Sequence, residues 1–141
     1  MDQRISLITL GVRDMESIAT FYEALGWERV EARDGVIAFE LIGQTLGLYP
    51  IEKLAEDIGM PVDALGRGAS TLSYNVRTKE EVAPLLASAK AVGGKILRPA
   101  GDVFWGGHIG YFADPEGTIW EVAHNPFSTL SLDGAFRWNG Y

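Results

Sequence analysis

The sequence predicts an α+β fold in which one βαβββ unit is used twice. Val12-Arg13-Asp14 and Val76-Arg77-Thr78 occupy matching places, 64 positions apart from 12 to 76. Each is followed by one helical pattern and then three short strand patterns in the same order. A chain of 141 residues is the size of one compact domain, so we expect the two repeats to share one core over residues 1–141.

The first repeat, residues 5–50, opens with a strand and a helix. Ile5 to Val12 is rich in β-branched and apolar residues, and Asp14 is a good N-cap for the helix that follows. Gly26 is placed to end that helix. The helix presents an apolar stripe of Ile18, Phe21, Tyr22 and Leu25. Three strands are then predicted over Trp27 to Ala32, Val36 to Leu41 and Thr45 to Tyr49, with Asp34-Gly35 and Gly43 as turns.

The second repeat, residues 69–124, follows the same plan. A strand over Thr71 to Val76 leads into Thr78 and Glu81, which have the spacing of a capping box. The buried face of its helix comprises Val82, Leu85, Leu86 and Ala89, and Gly93-Gly94 ends it. Three strands fit Lys95 to Arg98, His108 to Ala113 and Thr118 to Ala123, with Asp114-Pro115-Glu116-Gly117 as the last turn. We expect the charges of that turn to lie in water.

Two segments fall outside the repeats. Residues 51–68 are more polar and form a connector, with one helical turn predicted near Lys53 to Asp57. The tail, residues 125–141, carries the large apolar residues Phe127, Leu130, Leu132, Phe136, Trp138 and Tyr141. Because so many apolar groups are unfavourable in water, we expect the tail to dock on its own chain or on a partner.

Composition removes several classes of function. The net charge of −7 and pI near 4.7 argue against nucleic acid or an anionic membrane as a partner, since both are polyanions. The absence of cysteine excludes disulfides, thiolate nucleophiles and sulfur-ligated metals. The sequence shows no signal-peptide core and no apolar run long enough for a membrane span, so we expect a cytoplasmic protein. Walker, Rossmann, Gly-x-Ser-x-Gly and His-Glu-x-x-His patterns are absent as well.

Several short motifs resemble one family when taken in order. They are Thr9-Leu10-Gly11-Val12-Arg13-Asp14, Phe21-Tyr22, Leu25-Gly26, Gly106-Gly107, Phe112, Asp114-Pro115-Glu116-Gly117 and Trp120-Glu121-Val122. Together with the internal βαβββ repeat, these motifs resemble those of the vicinal oxygen chelate superfamily, which includes glyoxalase I, bleomycin-resistance proteins and extradiol dioxygenases. The resemblance implies a glyoxalase-like fold in which two curved mixed sheets form a cup around a small-molecule ligand. It also implies a homodimer.

The resemblance further implies a divalent metal, held by the first and last strands of each half. Carried over by position, these four places fall at Leu7, at Gly47, at Thr71 (or Ser70 if the register slips by one) and at Glu121. Leucine and glycine offer no ligand atom, and a hydroxyl is a weak ligand for such metals. We therefore expect no metal cofactor, and if a divalent metal does bind, Glu121 is its ligand.

The two histidines are the remaining candidates for a metal or catalytic site. His124 lies three residues after Glu121 on a strand, so the two side chains are expected to point to opposite faces. His108 follows Trp105-Gly106-Gly107 and is the better candidate to act with Glu121. One histidine and one glutamate still leave a metal underligated.

Glu121 itself has two interpretations, which the sequence leaves open. It is either a ligand or general base inside the cup, or a structural carboxylate with hydrogen-bond partners in the sheet. Candidate ligand-binding residues around it are Thr9, Thr71, Ser73 and Asn75 by strand period, Tyr49 and Tyr111 as hydroxyl donors, and Trp105 as a stacking surface. The alternative for Tyr49 and Tyr111 is that of half-buried structural residues, which tyrosines at strand ends more often are, and the alternative for Trp105 is a plug above glycines that allow close backbone approach.

These residues support two functions and a weaker third. The first is a protein that binds a small organic ligand in the cup without the usual metal, comparable to the antibiotic-sequestering members. The second is a metal-dependent lyase, isomerase or dioxygenase resembling glyoxalase I, with Glu121 and His108 as catalytic residues. The third is a structural or regulatory subunit that uses the fold only to dimerise.

Overall fold

The computed structural model describes residues 5–30, 35–65, 70–128 and 130–136. Its contacts divide the chain into two compact units, Met1–Ala69 and Ser70–Tyr141. Each unit contains a four-stranded mixed sheet and follows the order strand, helix, three strands. The predicted α+β class and the twofold βαβββ plan are therefore confirmed.

The first unit begins with β1 (Leu7–Val12), α1 (Met15–Ala24), β2 (Arg29–Val30), β3 (Ile37–Leu41) and β4 (Gln44–Pro50). The sheet order is β1-β4-β3-β2, with β1 parallel to β4 and the other pairs antiparallel. Asp14 is the N-cap of α1, as predicted, and its side chain accepts a hydrogen bond from the Ser17 N–H at 2.9 Å. Residues 31–34, which include the end of the predicted second strand and Asp34 of the predicted turn, lie outside the described residues.

The core of the first unit lies between α1 and its sheet. Ile18 and Tyr22 of α1 are buried with Phe39, Leu46 and Leu48 of the strands. The Tyr22 ring stacks on Trp27 with the centroids 5.0 Å apart and meets Phe39 edge-on at 5.8 Å. The stripe predicted from helical spacing thus forms the contact surface of α1.

The connector is more helical than the sequence indicated. One turn near Lys53 to Asp57 was expected, but α2 spans Ile51–Ile58 and a short 3-10 helix follows at Val62–Ala64. Gly59 ends α2 in the left-handed conformation, with φ of 77°, which glycine adopts without a steric cost. A Cβ added to Gly11 would lie 2.9 Å from Leu54 Cδ2, so α2 packs closely on β1, and this packing stabilises a helix that is too short to be stable alone.

The second unit contains β5 (Leu72–Asn75), α3 (Val82–Ala91), β6 (Lys95–Asp102), β7 (His108–Ala113) and β8 (Ile119–His124). The sheet order is β5-β8-β7-β6, with β5 parallel to β8. The predicted capping box of Thr78 and Glu81 is present, although it begins a short 3-10 helix, Lys79–Glu81, that leads into α3. Strand β6 extends four residues beyond the predicted Arg98, to Asp102.

Helix α3 covers one face of the second sheet. A Cβ added to Gly110 would lie 2.4 Å from Leu86 Cδ1, so the helix approaches β7 where no side chain stands. Phe112 and Trp120 stack on the same face with centroids 6.2 Å apart. Because side chains alternate along a strand, Tyr111 and Glu121 lie on the opposite face.

The last turn corrects one prediction. The charges of Asp114 to Gly117 were expected to lie in water, but Asp114 is buried. Its Oδ1 accepts hydrogen bonds from the N–H groups of Glu116 at 3.0 Å and Thr118 at 2.8 Å. These bonds compensate the lost hydration, so this carboxylate stabilises the turn.

The described part of the tail docks on its own unit. The Arg77 guanidinium donates to the carbonyl oxygens of Ser131 at 2.8 Å, Leu132 at 3.2 Å and Leu130 at 3.4 Å. Leu132 remains fully exposed. Trp138 and Tyr141 lie outside the described residues. Within the described ranges, no helix has the length and apolar character needed to cross a bilayer.

Candidate functional site

Four polar side chains form one row across the second sheet, on the face that α3 leaves uncovered. Strand register pairs Ser73 of β5 with Glu121 of β8, Glu121 with Tyr111 of β7, and Tyr111 with Arg98 of β6. Neighbouring strands are about 4.8 Å apart, so each residue lies beside the next. Residues from four different strands therefore place two hydroxyls, one carboxylate and one guanidinium in a line.

Glu121 is held at both oxygens. The Ser73 hydroxyl donates to Oε1 at 3.1 Å, and the Tyr111 hydroxyl donates to Oε2 in a short hydrogen bond. A carboxylate has about four acceptor positions, so it can still accept hydrogen bonds from a ligand. The two hydroxyls fix the direction in which those acceptor positions point.

Tyr111 is affected by the same contact. Its hydrogen bond to Glu121, followed by burial, raises the pKa of Tyr111 to about 12, while the charge of Arg98 acts in the opposite direction. The phenol is therefore neutral near pH 7. Its proton lies in the bond to Glu121, which leaves the Tyr111 oxygen as an acceptor.

Arg98 was not predicted from the sequence. The register of β6 against β7 shifts between Ile96, which pairs with Phe112, and Arg98, which pairs with Tyr111. Ile96 and Arg98 would lie on one face of a regular strand, but this bulge moves Arg98 to the Tyr111 face. Pro99, directly after Arg98, is tolerated because β6 is an edge strand. Pro99 and Gly101 are the sequence signals of an irregular strand here.

The remaining predicted residues of β5 lie near this row to different degrees. Asn75 pairs with Ala123 and is half-buried on the same face, two residues along from Ser73. Thr71 precedes the first residue of β5 and is exposed. The structure therefore brings Ser73, Tyr111 and Glu121 into contact, with Asn75 nearby.

His108 does not join Glu121, contrary to the predicted pairing. It shares a strand face with Gly110 and Phe112, opposite to Tyr111, because the register of β7 and β8 is regular. Its Nδ1 lies 2.6 Å from Asp102 Oδ1, and this hydrogen bond lowers the pKa of Asp102. His124 lies directly across from His108 and is likewise on the face opposite to Glu121, as its spacing predicted.

Trp105 packs on its own loop. A Cβ added to Gly107 would lie 1.9 Å from the Trp105 ring, so the indole rests directly on the backbone. Gly106 has φ of 93°, a conformation that favours glycine. This geometry matches the plug interpretation of Trp105, while stacking on a ligand stays a prediction.

The first unit contains the other two predicted residues. The Tyr49 hydroxyl bonds to Asp57 of α2, and this bond raises the pKa of Tyr49, so its hydroxyl links the connector to β4. Thr9 is exposed and pairs with Gly47, which pairs in turn with Ala38. Thr9 and Ser73 share the 64-residue offset, so the row Thr9, Gly47, Ala38 and Val30 is the counterpart of Ser73, Glu121, Tyr111 and Arg98. Of these two described rows, that of the second unit has a polar side chain at all four places, and that of the first unit has one at Thr9 alone.

The residues at the four expected metal positions do not fit a divalent ion. Leu7 and Gly47 supply no ligand atom and Thr71 supplies at most one weak oxygen, so Glu121 is the one strong ligand among these four positions. Within the described ranges, no three carboxylate or imidazole groups lie close enough to hold an ion. The groups in contact with Glu121 are hydroxyls that donate hydrogen bonds to it.

Comparison with known proteins identifies the family. The sequence model of the Glyoxalase/Bleomycin resistance protein/Dioxygenase superfamily matches residues 4–122. The chain belongs to this superfamily. No functionally curated protein matches it.

Several solved structures are similar to this chain. A glyoxalase-related enzyme from Fulvimarina pelagi is 38% identical, with a TM-score of 0.89 over 98% of this chain and 99% of that one. A lactoylglutathione lyase from Agrobacterium tumefaciens is 18% identical, with a TM-score of 0.67 over 89% of this chain and 96% of that one. A hypothetical protein from S. aureus is 24% identical, with a TM-score of 0.76 over 89% of this chain and 95% of that one. The latter two likenesses concern the fold alone.

Proposed function

We propose that this glyoxalase-superfamily chain binds a small organic ligand at the Glu121 face of its second unit, without a metal. The observation that carries the proposal is the pair of hydrogen bonds from Ser73 and Tyr111 to the two oxygens of Glu121. A carboxylate fixed in this way is preorganised, so a ligand donor binds it without the cost of ordering the side chain. A few oriented polar groups among apolar walls are typical of small-molecule sites.

A fragment screen by saturation-transfer NMR tests this proposal. Protein pretreated with chelator is screened against neutral and charged fragments, and each hit is titrated against wild type, Glu121→Gln and Glu40→Gln. Glu40 is an exposed strand glutamate of the first unit, so it controls for the loss of one charge. We expect hits whose affinity falls about tenfold in Glu121→Gln, since a bond to a charged group is lost, and stays unchanged in Glu40→Gln.

Two results would contradict the proposal. One is a set of hits that binds Glu121→Gln as tightly as wild type. The other is binding that appears only after a divalent metal is added back. Circular dichroism and thermal unfolding of each variant show whether a loss of binding reflects a loss of fold.

Catalysis on the bound ligand is a second candidate, supported by the relative from Fulvimarina pelagi that is described as an enzyme. In this function Glu121 acts as a general base, and Tyr111 and Ser73 hold its oxygens toward an acidic C–H of the ligand. Glu121→Gln should then abolish turnover of an α-oxo or vicinal diol substrate while ligand affinity falls only modestly. Equal turnover by Glu121→Gln and wild type would exclude it.

Pairing of two chains stays a prediction of the family resemblance. Exposed apolar side chains of the second unit, including Phe104, Phe127 and Leu132, supply apolar surface that pairing would bury. Sedimentation velocity over a range of protein concentrations measures it, and a monomer at every concentration would contradict it.

A further inference from the structure

The row at Glu121 carries two opposite charges that do not neutralise each other. Arg98 and Glu121 lie on strands separated by β7, about 10 Å apart at the backbone by ordinary strand spacing. Within the described residues, the Arg98 guanidinium forms no hydrogen bond or ion pair, whereas Glu121 has two hydroxyl partners. The carboxylate is therefore fixed, and the guanidinium has all its donors available.

A β-bulge in β6 places Arg98 on this face of the sheet. The bulge in β6 moves Arg98 from the face of Ile96 to the face of Tyr111, and such bulges commonly aim a side chain toward a site. The Arg98 charge acts on the Tyr111 phenol, so the two groups are close. A guanidinium presents a planar fork of donors that matches the two oxygens of a carboxylate or phosphate.

Along the row, hydrogen-bond acceptors lie at one end and hydrogen-bond donors at the other. The hydroxyls of Ser73 and Tyr111 both donate their protons to Glu121. The row therefore presents hydrogen-bond acceptors at Glu121 and Tyr111 and hydrogen-bond donors at Arg98. A ligand that satisfies it must present a donor at one end and an oxyanion at the other. A purely apolar ligand would leave the half-buried carboxylate and the guanidinium without new partners, at a cost in hydration.

We propose that the Glu121 face takes a small dipolar ligand, an aminocarboxylate, whose carboxylate binds Arg98 and whose ammonium group donates to Glu121 and Tyr111. This inference rests on the proposed function and specifies its ligand class. The counterpart row of the first unit has Val30 and Gly47 in the places of Arg98 and Glu121, so of these two described rows only that of the second unit carries the two opposite charges.

The test uses 4-aminobutyrate and its two halves, butylamine and butyrate, titrated by NMR into chelator-treated protein. Glycine, β-alanine and 5-aminovalerate extend the series to measure which charge separation fits. The variants are Arg98→Gln, Glu121→Gln and the control Lys90→Gln. Lys90 lies in the last turn of α3, on the other side of the sheet, and its substitution changes net charge by the same amount as Arg98→Gln.

We expect the best-fitting amino acid to bind at least about tenfold more tightly than butylamine or butyrate, because each end contributes a charged hydrogen bond. Arg98→Gln should remove that advantage and leave butylamine affinity unchanged. Glu121→Gln should weaken butylamine and leave butyrate unchanged. Lys90→Gln should alter none of these affinities.

Two results would overturn the inference. If Arg98→Gln leaves the ratio of amino-acid to butylamine affinity unchanged, the guanidinium does not bind the oxyanion. If no member of the series binds wild type, the ligand is not of this class. The fragment screen decides the proposed function separately, since hits that depend on Glu121 but not on Arg98 would support the site and reject only the dipolar ligand.

Discussion

At the scale of single residues, Glu121 has hydrogen-bond partners at a position where the superfamily resemblance implies a metal ligand. Its place on the last strand matches a metal-ligand position of the superfamily, yet its oxygens bind the hydroxyls of Ser73 and Tyr111. Hydroxyl donors stabilise a carboxylate where a cation would otherwise do so. The same atoms therefore form an oriented acceptor.

Tyr111 provides a direct measure of this arrangement. Because Glu121 holds the phenolic proton, the difference in absorbance at alkaline pH between wild type and Tyr111→Phe should show a tyrosine that titrates near 12 instead of near 10. A midpoint near 10 would mean that the hydrogen bond is absent in solution. The other tyrosines are common to both proteins and cancel in the difference.

The same pKa shift predicts a pH dependence of stability. The folded state holds this proton more tightly than the unfolded chain, so the stabilisation is complete below pH 10 and is lost as the pH rises toward 12. The free energy of unfolding of wild type should therefore fall relative to Tyr111→Phe across that interval. Chemical denaturation at several pH values measures it, and parallel curves would contradict it.

At the scale of elements, α3 packs on the face of the second sheet that lies opposite to the row of Ser73, Glu121, Tyr111 and Arg98. Gly110 lets Leu86 approach the strand, and an added Cβ would lie 2.4 Å from Leu86 Cδ1 and 3.1 Å from the Arg98 carbonyl oxygen. Helix packing and the β6 bulge thus meet at one glycine.

Substitution of this glycine should destabilise the second unit. We expect Gly110→Ala to lower the free energy of unfolding by about 1–3 kcal/mol, the usual cost of overpacking. Gly101→Ala on β6 is the matched control, because a Cβ added there has no atom within 4 Å. Equal stability of Gly110→Ala and Gly101→Ala by urea denaturation would show that α3 does not pack as described.

Several features that depend on neighbouring residues in the sequence were predicted correctly, and two features that depend on strand pairing were not. Asp14 and the Thr78–Glu81 box fixed helix starts through contacts within four residues. The alternation of β5 and β8 placed Ser73 on one face with Glu121. Arg98 could not be placed on that face, because its direction depends on a bulge that only the pairing with β7 reveals. The predicted pairing of His108 with Glu121 was wrong. It relied on the nearness of His108 to a glycine loop, whereas the register of β7 with β8 decides which face of the sheet the side chain occupies.

At the scale of the whole molecule, the two repeats keep one plan and differ in chemistry. Equivalent rows contain Thr9, Gly47, Ala38 and Val30 in one unit and Ser73, Glu121, Tyr111 and Arg98 in the other. Membership of the superfamily accounts for the plan, and the side chains of a single row account for the proposed site. The proposed ligand therefore follows from the residues of one repeat.

Metal content tests the central claim most directly. The full chain is purified without chelator, analysed by elemental mass spectrometry, and then titrated with Zn²⁺, Ni²⁺ and Mn²⁺ alongside Glu121→Gln. We predict substoichiometric metal, with the same weak binding by both proteins, because no three carboxylate or imidazole groups of the described residues lie close enough to hold an ion. One equivalent of a divalent metal in wild type, lost in Glu121→Gln, would contradict the account.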